Sequence, residues 1–295
     1  MDLQTLQGIT LLLLAVVGLP VYIRILYIFI SRPVYRCLEC YQIMIQIGIV
    51  QCLIAPGAFM QGLMQLLNYD PFGLASITIK SYPAVVRTEA LMSCVLALNR
   101  LKIICKLQYP QILHKVCLVV IWIFGVCFCT SLFVLSPSLV FTTAPGVLVP
   151  FYDQSRPLSL TFRQITSTFL VATCCLNLLF YMIIIAYLAY LKQRTGFAIK
   201  SRRERSIFLY ASIRFAFDIT ISLLLTYRPF GDNSIGQFLL SLGYPFYHMA
   251  LTQILYIAMY KDIRRQFVPF QKKVTMVTTI GVVRKDNLSS FSRAV

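Results

Sequence analysis

Apolar residues in this chain fall in long unbroken runs, and the polar residues collect between them. Seven runs reach the length a helix needs to cross hydrocarbon: Ile9–Ile30, Glu39–Leu67, Tyr82–Lys106, Val116–Leu135, Ile165–Leu191, Ile207–Thr226 and Phe238–Tyr260. The stretch Asn68-Tyr69-Asp70-Pro71-Phe72-Gly73 is dense in turn formers and separates the second run from the third. The pattern predicts an all-α membrane protein built as a bundle of seven transmembrane helices.

Composition agrees. Hydrophobic residues make up 58% of the 295 positions and charged residues 13%, where soluble domains run near roughly half and a quarter. A net charge of +17 raises nucleic acid as a partner, but the basic residues sit in the connections rather than on one soluble face. The connections Ser31–Leu38, Lys102–Lys115 and Lys192–Ser206, with the tail from Lys261, hold nineteen Lys and Arg, and the opposite set holds four. The positive-inside rule then puts the N-terminus outside and the C-terminus in the cytoplasm. Met1–Gly8 lacks the basic start of a cleaved signal peptide, so the first run is expected to be retained.

Residues 1–268 are expected to form the membrane domain. It would close with a short interfacial helix near Lys261–Val268, and residues 269–295 would form a disordered cytoplasmic tail. The connection Lys192–Ser206, with Arg202 and Arg203, is the densest basic cluster. It suits anionic lipid, a docking partner, or both. The ten cysteines lie mostly in apolar runs and behave as small hydrophobes; Cys37 and Cys40 form a lone C-x-x-C. No metal or cofactor is expected.

Charges inside the runs carry the candidate chemistry, because an ionisable group at membrane depth is costly. The third run holds Arg87 and Glu89 in one half and Asn99-Arg100-Leu101 near its other end. Arg87 lies about 20 Å along the helix from Arg100. Side chains two apart do not face each other, so Arg87 and Glu89 need separate partners, and at most one of them should face a given cavity. Arg87 has three outlets: a bridge to Asp218, a reach outward towards Asp70, or a ligand. Arg214 and Asp218, four apart, can pair along their own helix and restrain it. His248 reads first as a packing residue and second as a ligand contact. Tyr244, with Tyr247 and Tyr82, would add aromatic walls suited to a small organic ligand. The two histidines lie far apart and no nucleophile–base pair is visible, so an enzyme is not expected. A ligand-gated channel or transporter with seven spans is the alternative, although no internal repeat points to one.

The seven runs, the outside N-terminus and Asn99-Arg100-Leu101 at the close of the third run resemble a rhodopsin-like G-protein-coupled receptor. More narrowly, the chain resembles a nematode serpentine chemoreceptor of class V or class T. The similar residues are Tyr41-Gln42-Ile43-Met44, Ile47-Gly48-Ile49-Val50-Gln51, Arg87-Thr88-Glu89-Ala90, Leu96-Ala97-Leu98-Asn99-Arg100, Ile254-Leu255-Tyr256 and Lys261-Asp262-Ile263-Arg264. The resemblance implies a receptor in the plasma or ciliary membrane that binds a small extracellular molecule and signals to a heterotrimeric G-protein. It implies that Arg100 faces the G-protein when the helices part, and that Tyr256 swings towards it. Asn99 stands for the usual acidic neighbour, and Trp122 is packing. There are departures. Gln51 replaces a frequent aspartate, Thr252-Gln253 replaces Asn-Pro, and no cysteine is placed to tie the outer ends by a disulfide.

Overall fold

The computed structural model describes residues 2–110, 112–135, 141–153, 155, 157–195, 209, 212–217, 219–221, 223–224, 233–259 and 263–264. The helices are α1 (Leu3–Ser31), α2 (Pro33–Arg36), α3 (Glu39–Cys52), α4 (Ala55–Leu67), α5 (Leu74–Thr78), α6 (Ser81–Cys105), α7 (Ile112–Val134) and α8 (Pro157–Thr195). A helical segment at 212–217 and 219–221 follows. Then come α9 (Ser234–Phe246), a π-helical turn at Tyr247–Leu251 and α10 (Thr252–Met259). Strands β1 (Phe141–Thr142) and β2 (Phe151–Tyr152) pair antiparallel between α7 and α8.

Among the described residues four helical stretches are long and apolar enough to cross a membrane: α1, Glu39–Leu67, α7 and Leu158–Tyr190 of α8. The third run is also one helix, α6, of 25 residues, but its charges set it apart from those four. The predicted interfacial helix and tail lie almost wholly outside the described residues, as do Arg202, Arg203 and Asp218.

The second run is not a single straight rod. It breaks between Cys52 and Ala55, where Leu53 and Ile54 donate to Val50 and Gln51, three residues back. Pro56 causes the break: it lacks an N–H, and its ring crowds the carbonyl four residues before it. α8 starts eight residues before the predicted Ile165. Pro157 opens it in the first turn, where a missing N–H costs no intrahelical bond.

α6 is the central post. It packs against α3, α7 and α8, and most of its side chains are buried. α1 lies along α4, and glycines set how closely. A Cβ on Gly8 would come 2.9 Å from the Gly62 carbonyl oxygen, and one on Gly62 would come 2.9 Å from that of Gly8. Small residues at a helix crossing let backbones approach where hydrocarbon supplies no hydrophobic drive. At the end where α1 leaves and α3 enters, here the basic end, Phe29, Tyr35, Tyr41 and Tyr256 form an aromatic cluster. Its ring centroids are 4.9 to 5.5 Å apart. Trp122 ties α7 to α3 by donating to Gln46 at 2.9 Å.

Candidate functional site

Two polar sites flank the N-terminal half of α6, and they are built differently. The first is a cavity of about 160 Å³ at the N-terminal end of the bundle. α6 contributes Tyr82, Pro83, Val86 and Arg87, and α9 contributes Leu240, Ser241, Tyr244 and Pro245. Each set follows the i, i+1, i+4, i+5 spacing of one helix face. α8 contributes Arg163, Ser167 and Leu170, spaced i, i+4, i+7 along one stripe. The β1–β2 hairpin closes the mouth with Phe141 and Tyr152. Burial pushes the Tyr152 phenol up from its ordinary pKa, so at neutral pH it stands as a neutral hydroxyl.

No disulfide holds the hairpin in place, since none of the ten cysteines is bridged to another. Amides of two glutamines do that work. Gln7 on α1 donates to the Leu148 carbonyl at 2.7 Å, and Gln65 on α4 donates to that of Val147 at 2.8 Å. The Gln65 side-chain oxygen also accepts from the Gly146 N–H at 3.1 Å. Gln65 is buried, and a buried amide left unbonded would be costly, so each bond also answers a desolvation demand.

The second site is deeper and sealed. Glu89, 1% exposed, is met from three sides. Gln51 of α3 donates to its Oε1 at 2.6 Å, and Nη2 of Arg214 donates to the same oxygen. Nδ1 of His248 stands 2.6 Å from Oε2. Gln51 also accepts from the Tyr22 hydroxyl, and the Tyr247 hydroxyl lies 3.2 Å from Nε of Arg214. One carboxylate thereby joins α1, α3, α6, the 212–217 segment and the π-helical turn. That turn is what brings Tyr247 and His248 both inward, each no more than 2% exposed. A single extra residue in the helical ladder does this, and π-bulges recur at functional sites.

The structure thus sorts the predicted residues. Tyr82, Arg87 and Tyr244 share the cavity; Glu89 and His248 belong to the sealed network. Tyr244 touches both, with its ring centroid 4.2 Å from that of His248 and 5.8 Å from that of Tyr82. Asp70 is not the partner of Arg87. Its carboxylate accepts from the Ala75 and Ser76 backbone N–H groups and the Ser76 hydroxyl, at the start of α5. Arg214 reaches across to Glu89, a pairing the intrahelical spacing to Asp218 did not predict. The two proposed contacts of Asp218 fall outside the described residues.

At the basic end, Asn99 donates to Glu39 at 3.0 Å, and Nδ1 of His114 stands 3.4 Å from the same oxygen. Tyr109 bonds the other ring nitrogen of His114 at 3.0 Å. Arg100, 4% exposed, bonds the Cys40 sulfur. Tyr256 packs on Phe29 and Tyr22. An acidic group therefore does stand beside Asn99-Arg100, but it comes from α3 instead of from the neighbouring position on α6.

Sequence reasoning missed Arg163, Tyr152, Gln51 as a bridge, Glu39 and His114. The α8 stripe was readable as a helical repeat. The others become neighbours only through packing. Among the described residues no group of three or more His, Cys, Asp or Glu could hold a metal ion.

No protein-family model matches the chain, and no curated protein matches it. Among solved structures, the crystal structure of squid rhodopsin superposes with a TM-score of 0.68. The match covers 99% of this chain and 92% of that chain at 9% sequence identity. The fold is rhodopsin-like. With its apolar helices, the chain is a multi-pass membrane protein of rhodopsin-like fold. At this identity the likeness extends to the path of the helices, and the residue contacts above are this chain's own.

Proposed function

We propose that this protein is a G-protein-coupled chemosensory receptor of the nematode serpentine kind. It would have seven spans, an outside N-terminus and a cytoplasmic tail, and work in a plasma or ciliary membrane. A small extracellular molecule enters the cavity between α6, α8 and α9 and contacts Tyr82, Arg87 and Tyr244. The observation that carries the reading is the continuity from cavity to network. Tyr244 lines the cavity and packs on His248, which faces Glu89, which holds Arg214.

A ligand that shifts Tyr244 alters a contact joining the helices that carry Glu89, Arg214 and His248. Only a difference in ligand affinity between two packings can move such an equilibrium. The bonded set around Glu89 supplies the resting packing; its rearrangement would release the 212–217 segment. At the basic end, Arg100 on Cys40 and Asn99 on Glu39 are the restraints that would open to a G-protein, with Tyr256 beside them and Arg202 and Arg203 as docking charges.

The test is a ligand screen in a heterologous cell with a calcium or cyclic-nucleotide readout. An Arg100→Ala variant at normal surface level should lose the response. An undiminished response in that variant, or a ligand-evoked current in cells without G-proteins, would overturn the reading in favour of a channel.

A further inference from the structure

Arg87 is a buried cation with little to bond. It is 7% exposed, and one of its terminal nitrogens donates to the Pro83 carbonyl at 2.7 Å. Its guanidinium carbon lies 5.3 Å from the centre of the Phe128 ring. Its Nε is buried with no hydrogen-bond partner, and among the described residues no carboxylate pairs with it. Glu89, two residues on, is committed to Arg214 and Gln51. A second arginine, Arg163, lines the same cavity from α8, and among the described residues no Asp or Glu lines it. The hydroxyl of Tyr82 is likewise buried without a partner at the cavity wall. The remaining surface is mostly apolar, from Phe141, Leu170 and Leu240.

Burying a cation without a counter-charge costs folding free energy. A cavity that gathers two arginines, with no acid among its described lining residues, is complementary to one class of molecule. A guanidinium fork matches a planar oxyanion, and low dielectric strengthens the bond once water is displaced. We infer that the cavity binds a small organic anion, a carboxylate on a short aromatic or aliphatic body, with Arg87 and Arg163 taking the charged head. The apolar wall takes the body, and Tyr82 supplies a hydroxyl donor.

This inference rests on the cavity being the receptor's ligand site, so binding is first measured without a G-protein. The full chain is purified into lipid nanodiscs, and its melting is followed against phenylacetate and 3-methylbutanoate. Phenylacetamide and 3-methylbutanamide serve as neutral counterparts of matched shape. The acids should raise Tm by about 3 °C or more at saturation, and the amides should not. Arg163→Gln should weaken acid binding by about tenfold or more. Arg87→Gln should abolish the shift while leaving the ligand-free Tm equal or higher.

Amides that act like the acids, acids that produce no shift, or a drop in ligand-free Tm in Arg87→Gln would overturn the inference. Acid binding with no nucleotide exchange on added G-protein would sink the receptor reading alone. Signalling driven equally by neutral ligands through this cavity would sink the anion inference alone.

Discussion

Arg87 and Glu89 stand two residues apart on one helix, both buried, and their surroundings differ sharply. Glu89 has an arginine, a glutamine and a histidine arranged around its two oxygens. Arg87 has one carbonyl, an aromatic ring and an opening into a cavity. The difference follows from helix geometry. Two residues turn about 200° around the axis, so one side chain faces the centre of the bundle and the other faces the gap between α6, α8 and α9. A satisfied buried charge stabilises a particular packing once formed; an unsatisfied one is a cost that a ligand can offset. The contrast teaches that depth alone does not separate a structural charge from a binding charge. What separates them is whether the described residues supply a charged partner, as Arg214 and His248 do for Glu89.

The comparison can be broken hardest at Glu89. Glu89→Ala removes the carboxylate that faces buried Arg214 and His248 and should destabilise the protein by about 3–5 kcal/mol, read as a fall in Tm. Pairing Glu89→Gln with Arg214→Gln should recover most of that loss. A double variant as weak as the sum of its parts would show that the two residues are not coupled.

Next in size is Gln65→Leu, which removes two bonds to the hairpin. It should cost about 2 kcal/mol and speed amide exchange at Gly146, with Glu89 left untouched. Unchanged exchange there would mean that the hairpin is held by other contacts. His248→Phe keeps the ring contact with Tyr244 but empties one side of Glu89, and should cost about 1–2 kcal/mol.

The smallest effect sharpens the contrast. Arg87→Gln should change ligand-free stability by less than about 1 kcal/mol and in the opposite direction, because it removes a charge that no carboxylate pairs with among the described residues. A loss as large as that of Glu89→Ala would make Arg87 a structural residue and erase the distinction.

Much of the fold was legible in the run lengths. Glu39–Leu67 and the third run appear as helices where hydropathy and turn residues placed them, and the kink at Pro56 is a local effect of one residue. The separation of Arg87 from Glu89 was readable from helical period alone. The partner of Glu89 was not. Arg214 and His248 come from stretches more than a hundred residues away, and nothing in the spacing of either names a carboxylate on α6. Nor could the sequence reveal that Glu39, at the start of the second run, would stand beside Asn99.

By itself the sequence determined that long apolar runs must become helices, since backbone groups in hydrocarbon have to be bonded within the segment. It also determined which side chains share a helix face, because that follows from a period of 3.6. Only the tertiary structure decided which faces meet. Packing chose Arg214 for Glu89 and left Arg87 to a cavity, because side-chain pairing across helices depends on crossing positions that no local pattern encodes.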